Sequence, residues 1–230
     1  MRYAILSDAH GRSEKLEAVL ADARERGAQR VVSLGDMGGD ECVALLRQAG
    51  ALAVFGNYEV SGWRRLSPEF QAWVLGWPPI LVRDDFMAVH AAPWWPRGVA
   101  KAWPEASPSV RDFGAWLRRT GGPWRALFPY LSEDEDSLWQ ALAELETAGK
   151  RLLFYGHTHV QAIWHGEPSG RLQQVRNTQI TTKAEQHYLV GVGSVGLPED
   201  GGGAAYTLYD AGTGHVQHLR VGIGPARPDA

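Results

Sequence analysis

Short apolar runs alternate with amphipathic stretches in the first quarter of the chain. Runs at residues 4–6, 31–34 and 51–55 have the length of buried strands, and the intervening segments 13–26 and 41–48 place apolar residues at helical spacing. Alternating strands and helices are typical of a parallel sheet covered by helices. We therefore predict an α/β fold.

The pattern changes after a further predicted strand at residues 87–90. A stretch rich in Trp, Pro and Arg occupies residues 94–130, and helical spacing returns over 133–148, before a buried strand at 151–155. Later apolar runs are short and separated by turn residues, which suits antiparallel strands of a second sheet. These runs lie at residues 160–164, 172–176, 188–191, 205–209 and 215–221.

Length and linker content indicate one domain. At 230 residues the chain is long enough for one substantial core, and no Pro-, Gly- or Ser-rich linker divides it. We expect a single domain over residues 1–221 with an insertion at about 94–148. The Gly- and Pro-rich tail at 222–230 is expected to be frayed.

Charge and cysteine content narrow the class of protein. A net charge of -3 gives no overall attraction to nucleic acid or anionic membrane, so a polyanionic partner would need a local basic patch. Cys42 is the only cysteine, which excludes an internal disulfide and favours a cytoplasmic location. No apolar run has the roughly 20 residues that span a bilayer, and the N-terminus lacks a signal-type core.

Histidines and carboxylates follow directly after five of the predicted strands. Because the carboxyl ends of parallel strands meet at one edge of a sheet, we expect these side chains to form a two-metal site. Mixed carboxylate and imidazole ligands suit Mn, Fe, Zn, Ni or Co better than calcium. The clusters are Asp8-Ala9-His10, Gly35-Asp36, Gly56-Asn57-Tyr58-Glu59, His90 and Gly156-His157-Thr158-His159.

In identity and order these clusters resemble the motifs of calcineurin-like metallophosphoesterases over about residues 3–210. The resemblance implies a four-layer α/β/β/α sandwich, here with a Trp-rich helical insertion, and two divalent metal ions, with Mn favoured. Its implied ligands are Asp8, His10, Asp36 and His159 for one ion, and Asp36, Asn57, His90 and His157 for the other. Asp36 would bridge the ions, and Asp36, Asn57, His157 and Tyr58 would be the catalytic residues.

Within the family, two segments resemble the small bacterial and archaeal phosphodiesterase branch. They are residues 89–93, which contain His90, and the turn 193–198, whose Ser194 is expected to support His157 and His159 from behind. The aspartate that usually follows three residues after the bridging one is replaced by Gly39, which argues against a phosphoprotein substrate.

Tyr58 stands where many members have a histidine that is associated with leaving-group protonation. A phenol is a weaker acid than imidazolium at neutral pH, although its hydroxyl can still bind a phosphoryl oxygen. The resemblance therefore implies a phosphodiesterase that cleaves small or nucleotide-like esters through a hydroxide held between the metals. A dinucleoside-polyphosphate hydrolase, a phosphomonoesterase and a catalytically weak scaffold of the same fold are the alternatives.

Nine of the ten tryptophans lie between Trp63 and Trp139. One interpretation is a lid whose Trp94 and Arg97 contact the substrate, in addition to the contact expected from Tyr58. The favoured interpretation is packing, because buried aromatics usually serve cores, and Phe113 and Trp116 recur at helical spacing. We expect a small phosphate ester as the binding partner, and neither a stable nucleic-acid partner nor association with a membrane. No sequence feature indicates an oligomeric state.

Overall fold

Two six-stranded sheets lie at the centre of the computed structural model, which describes residues 1–83, 85–96, 98–99, 107–131, 134–167 and 169–222. The strands are β1 (Arg2–Leu6), β2 (Arg30–Ser33), β3 (Leu52–Ala53), β4 (Ile80–Val82), β5 (Phe86–Val89), β6 (Leu152–Tyr155), β7 (Gln161–Gly166), β8 (Leu172–Val175), β9 (Gln179–Thr181), β10 (Tyr188–Val192), β11 (Ala204–Asp210) and β12 (His215–Val221). The helices are α1 (Ser13–Glu25), α2 (Asp40–Gln48), α3 (Asn57–Gly62), α4 (Pro68–Val74), α5 (Val110–Thr120), α6 (Trp124–Leu127) and α7 (Glu135–Thr147), with a 3-10 turn at Trp63–Arg65.

The strands are divided between the sheets in the orders β3-β2-β1-β11-β12-β9 and β4-β5-β6-β10-β7-β8. The predicted β-α-β-α-β opening is present, and β1, β2 and β3 pair in parallel. In the second sheet β5, β6 and β10 also pair in parallel. Each sheet therefore contains a parallel core with antiparallel strands added to it.

This division corrects two expectations from the sequence. The late strands do not form a sheet of their own, because β11 pairs with β1 of the first sheet while β10 pairs with β6 of the second. The five polar clusters consequently follow strands of two sheets rather than one. Apolar periodicity identifies a buried strand but carries no information about its pairing partner, which depends on long-range contacts.

Alternating side chains explain the layered arrangement of helix, sheet, sheet and helix. On β1, Ala4 and Leu6 pack in a cluster with α1 and α2, whereas Ile5 faces a cluster shared by both sheets. On β6, Phe154 enters the shared cluster and Leu153 faces α7. Successive strand residues point to opposite faces, so each central strand is apolar throughout. This arrangement confirms the predicted α/β sandwich.

Helix and strand boundaries agree with the sequence where the apolar period is clear. Helix α1 buries Leu16, Val19, Leu20 and Ala23, the four positions that set its predicted spacing. Strand β3 is shorter than expected, and the structure adds the short elements β4, β9, α3 and α4. The start predicted for the helix at 133 falls outside the described residues, as does the predicted tail beyond residue 222.

The insertion joins β5 to β6 and contributes α5, α6 and α7. Phe113 and Trp116 of α5 are buried in the cluster on the outer face of the first sheet. Among the described residues, no helix has the length and apolar character needed to cross a bilayer.

His218 on β12 is a titratable group inside the first sheet. Its Nδ1 lies 2.9 Å from Oγ1 of Thr207, and burial lowers the pKa of its ring to about 4. An unfolded histidine titrates near pH 6.5, so folding favours the neutral ring. The stabilisation is complete above that pH and is lost as the pH falls toward 4.

We expect the wild-type protein to lose about 2 to 3 kcal/mol more unfolding free energy than His218→Gln when the pH is lowered from 7 to 4.5. Urea unfolding at both pH values measures the difference. His215→Gln, on the same strand, is the control and should keep the wild-type pH dependence. An equal loss in His218→Gln and wild type would contradict the assignment.

Candidate metal centre

All seven predicted metal ligands come together where strands of the two sheets end. Asp8 and His10 follow β1, Asp36 lies in the loop between β2 and α2, and Asn57 begins α3. His90 follows β5, and His157 and His159 follow β6. Two groups of three side chains have ligand atoms within 4.8 Å of one another, namely Asp8, His10 and His159, and Asp36, His90 and His157.

The first group is built around the buried carboxylate of Asp8. Its Oδ1 lies 3.6 Å from Nε2 of His10 and 3.4 Å from Nε2 of His159, and these two nitrogens are 3.0 Å apart. This oxygen accepts no hydrogen bond within the described part of the chain. Burial raises the pKa of Asp8, but the neighbouring imidazoles lower it well below its usual value. An ionised oxygen without a hydrogen-bond donor is suited to a cation.

The second group contains Asp36, His90 and His157, with the amide of Asn57 beside it. Nε2 of His90 is 3.6 Å from Oδ1 of Asp36 and 3.0 Å from Oδ1 of Asn57. Burial and the charges of Glu59 and Asp8 raise the pKa of Asp36 well above its usual value. A divalent cation would supply the missing positive charge and favour the ionised form. The bridging role of Asp36 stays a prediction.

The backbone at these positions is unusual. Five non-glycine residues of the described chain have a left-handed φ between 49° and 64°, and all five are predicted ligands. Such a conformation costs of the order of 1 to 3 kcal/mol per residue and persists only where surrounding structure enforces it. The five residues are Asp8, His10, Asp36, His157 and His159.

Backbone carbonyls orient the histidine rings. Nδ1 of His90 donates to the carbonyl oxygen of Leu34 at 2.8 Å, and Nδ1 of His159 donates to that of Leu197 at 2.9 Å. With one nitrogen carrying the proton, the other presents its lone pair to the centre. Burial lowers the pKa of His157 to about 3, so this ring is neutral and able to bind a metal at neutral pH.

Glu59 was recognised as part of a cluster, but its role was missed. Its buried carboxylate accepts backbone N–H groups from Asp36 and Gly56 at 2.8 Å each and from Met37 at 2.9 Å. It therefore holds the turns after β2 and β3 together. The sequence signal was available, since an acidic residue three positions after a helix cap is one half of a capping box.

Close approach between loops accounts for two glycines of the motifs. A Cβ on Gly56 would overlap Oδ1 of Asp36, and one on Gly156 would overlap Oγ of Ser7. His157 N–H donates to Oδ2 of Asp8 at 2.9 Å, which links the loops of the two sheets. Any larger side chain at either glycine would separate these loops.

The turn containing Ser194 supports Asp8 in addition to one of the two histidines expected, His159. Oγ of Ser194 donates to the carbonyl oxygen of Asp8 at 2.7 Å and accepts the N–H of Leu197 at 2.8 Å. The turn therefore holds Asp8 directly and His159 through the carbonyl of Leu197. No hydrogen bond in the described part of the chain joins Ser194 to His157.

Tyr58 lies at the edge of the centre. Its N–H donates to Oδ1 of Asp36 at 2.7 Å, and its ring meets that of His10 edge-on with centroids 4.6 Å apart. The side chain is 46% exposed, so its hydroxyl is accessible to a bound molecule.

Two tryptophans of the insertion pack in the way the favoured interpretation expects, whereas Trp124 is 43% exposed. Trp94 and Trp95 are half-buried against the outer cluster of the second sheet, and Trp95 meets Phe113 with ring centroids 5.9 Å apart. Substrate contact by Trp94 stays a prediction, and Arg97 lies outside the described residues. The insertion also stacks Tyr130 on His157 with centroids 4.2 Å apart, a contact that no sequence pattern indicated.

Comparison with known proteins agrees with this fold and centre. A sequence model of the calcineurin-like phosphoesterase superfamily domain matches residues 1–214, so the chain belongs to this superfamily. Divalent metal ions are implied by this membership, and the two ligand groups offer places for them.

Individual relatives are more distant. An uncharacterized protein of Methanocaldococcus jannaschii is 27% identical over 229 residues, covering 95% of this chain and 86% of its own length. A metallophosphoesterase from Sphaerobacter thermophilus has a TM-score of 0.69 at 23% identity, covering 96% of this chain and 88% of that one. An archaeal phosphodiesterase has a TM-score of 0.54 at 11% identity, covering 96% and 100%. The two structures share the fold.

Glu59→Gln should weaken binding of Mn²⁺ by about ten- to a hundredfold, because one amide oxygen cannot replace the two carboxylate oxygens that hold the loops. Titration calorimetry with Mn²⁺ measures this change. Glu69→Gln, an exposed change on α4, is the matched control and should bind as wild type does. Wild-type affinity in Glu59→Gln would show that the loops do not depend on this carboxylate.

Proposed function

We propose that this protein is a phosphodiesterase that uses two divalent metal ions to hydrolyse small or nucleotide-like phosphate esters. One observation carries the proposal. Two clusters, each made of one carboxylate and two imidazoles, lie at the ends of the strands. Membership of the phosphoesterase superfamily supports hydrolysis of phosphate esters as the reaction.

The donor atoms fit divalent transition metals. Each group combines a carboxylate with imidazole, a set that accepts Mn, Fe, Zn, Ni or Co, with Mn favoured in this proposal. Such ions, when bound, activate water as a nucleophile and neutralise charge on phosphate oxygens. A cytoplasmic location is part of the proposal and is supported by the single buried thiol of Cys42.

Some residues of the chain would bind the two ions, and others would orient the side chains that bind them. Asp8, His10 and His159 would hold one ion, and Asn57, His90 and His157 the other. Asp36 belongs to the second group, and its second carboxylate oxygen would be shared with the first ion, as the superfamily resemblance implies. The carbonyls of Leu34 and Leu197 keep the Nδ1 protons of His90 and His159, so that both rings offer Nε2.

Tyr58 supports a preference for diesters with good leaving groups. Its hydroxyl can donate a hydrogen bond to a phosphoryl oxygen, but a phenol gives up its proton less readily than imidazolium does. The ring lies against His10, at the position where many superfamily members place a histidine. Release of the leaving group would therefore depend mainly on its own stability as an anion.

A scaffold without chemistry is less well supported. Five strained backbone positions reduce the stability of the fold, and all of them are predicted ligands. Strain of this kind is usually retained where function requires it. Both groups also keep their complete sets of carboxylate and imidazole side chains.

Replacing Asp36 by Asn should reduce manganese-dependent hydrolysis of bis-p-nitrophenyl phosphate at least about a hundredfold. The substitution keeps the shape, and its amide oxygen can still accept the N–H of Tyr58, but it removes the shared negative charge. Steady-state rates with added Mn²⁺, before and after chelation, measure the effect.

Asp136→Asn, in the first turn of α7, is the matched control and should retain wild-type turnover. The mechanism is wrong if Asp36→Asn turns over at a rate near that of wild type. Wild-type turnover that survives complete removal of metal would contradict it equally.

Tyr58→His should restore a proton donor beside His10. The rate for diphenyl phosphate relative to bis-p-nitrophenyl phosphate should rise about tenfold or more, because general acid catalysis matters most for poor leaving groups. The gain should be larger at pH 6 than at pH 8. Tyr58→Phe, which adds no proton donor, is the control, and an unchanged rate ratio in Tyr58→His would rule out leaving-group release as the limit.

A further inference from the structure

A cleft of about 320 Å³ opens beside the candidate metal centre. One wall is the segment 38–43, which leads into α2, and the other is the segment 58–66, which contains α3 and the 3-10 turn. Tyr58 connects the cleft to the centre, since its ring lines the cleft and also meets the ring of His10. This volume lies at the lower end of the range for small-molecule sites.

The larger uncharged side chains of the lining are apolar or aromatic, and its charged residues include two acids, Asp40 and Glu59. Val43, Leu66, Trp63 and Tyr58 provide the larger side chains. Apolar and aromatic walls with few polar groups are typical of sites for flat organic rings.

An arginine without a partner also lines this cleft. The side chain of Arg65 makes no hydrogen bond or ion pair within the described residues. Its Nη2 lies beside Gly62, 3.2 Å from the position that a Cβ would take there. The guanidinium groups of Arg64 and Arg111 lie 4.6 and 5.5 Å from the ring centroid of Trp63. Because two acidic residues also line the cleft, Arg65 provides a hydrogen-bond donor there rather than a net positive charge.

Gly39 keeps the cleft open. Its φ of 163° is ordinary extended backbone, and a Cβ placed on it would meet no atom within 4 Å. A side chain at this position is therefore allowed by the backbone and would occupy free space next to the other cleft residues. The chain departs here from the aspartate that the superfamily resemblance leads one to expect.

We propose that this cleft binds the base of a nucleotide arm of the substrate, and that Gly39 sets this specificity by leaving room for the ring. The inference rests on the proposed function for the position of the phosphate. With the phosphate at the metal centre, an attached ring can stack against Tyr58, since the ring of Trp63 already contacts the guanidinium groups of Arg64 and Arg111. The guanidinium of Arg65 can donate to acceptor atoms on the edge of the base.

Binding of two phosphates that differ only in the base tests the proposal. Titration calorimetry with Mn²⁺ present should show adenosine 5′-monophosphate binding to wild type about tenfold more tightly than ribose 5-phosphate, the size expected for one stacked base. In Gly39→Leu this ratio should fall toward one because the added side chain occupies the space for the ring. Gly39→Ala, whose Cβ meets nothing, should keep most of the preference.

Gly202→Leu is the matched control, since Gly202, like Gly39, has no left-handed φ and no atom near its Cβ position, and it is exposed. It should keep the wild-type preference for the adenine nucleotide. Equal affinities of wild type for the two phosphates, or a preference that survives in Gly39→Leu, would overturn the inference.

This measurement separates the inference from the proposed function. Absence of metal-dependent hydrolysis of bis-p-nitrophenyl phosphate would remove the phosphodiesterase proposal, whereas the binding ratio still shows whether the cleft recognises a base. Conversely, hydrolysis without any base preference would leave the phosphodiesterase and eliminate the nucleotide cleft.

Discussion

Burial of two carboxylates at the ends of neighbouring strands is the constraint on which the rest of the centre depends. Asp8 and Asp36 are both nearly inaccessible to water, and their mutual repulsion contributes to raising the pKa of Asp36. Buried charge is tolerated only with compensating partners. The converging imidazoles provide part of that compensation at Asp8, and divalent cations would provide the remainder in both groups.

The loops around the carboxylates are adapted to this arrangement. Hydrogen bonds from Asp8 N–H to the carbonyl of Gly35, and from His10 N–H to that of Asp36, join the turns after β1 and β2. Glu59 adds the turn after β3, and Ser194 holds Asp8 from the other side. The left-handed backbone at the predicted ligands lets each loop turn sharply after its strand. The side chains of the loops can then converge on a shared point.

The insertion is coupled to the same centre. Tyr130 stacks on His157, and Phe128 lies against His90 with ring centroids 5.6 Å apart. Its aromatic residues therefore form part of the wall behind the second ligand group and also belong to the clusters on the outer faces of the two sheets. On the opposite side, Tyr58 borders an open cleft, so the two sides of the centre differ in accessibility. For the proposed diester substrate, this asymmetry would give the two arms distinct environments.

Local sequence was sufficient for most of the elements and for recognising the side chains that converge at the candidate centre. The spacing of Leu16, Val19, Leu20 and Ala23 is a property of one helix, and Asp or His directly after an apolar run can be recognised without knowing what the run pairs with. The superfamily resemblance then supplied the grouping of those ligands, and all seven do lie together.

Only the tertiary structure decided which strands share a sheet and what surrounds the ligands. β10 and β11 belong to different sheets because of pairings with β6 and β1, which are distant in the chain. The stacking of Tyr130 on His157 and the cleft beside Gly39 likewise arise between segments far apart in sequence. Periodicity reports which face of an element is buried, whereas these features depend on which other segment covers it.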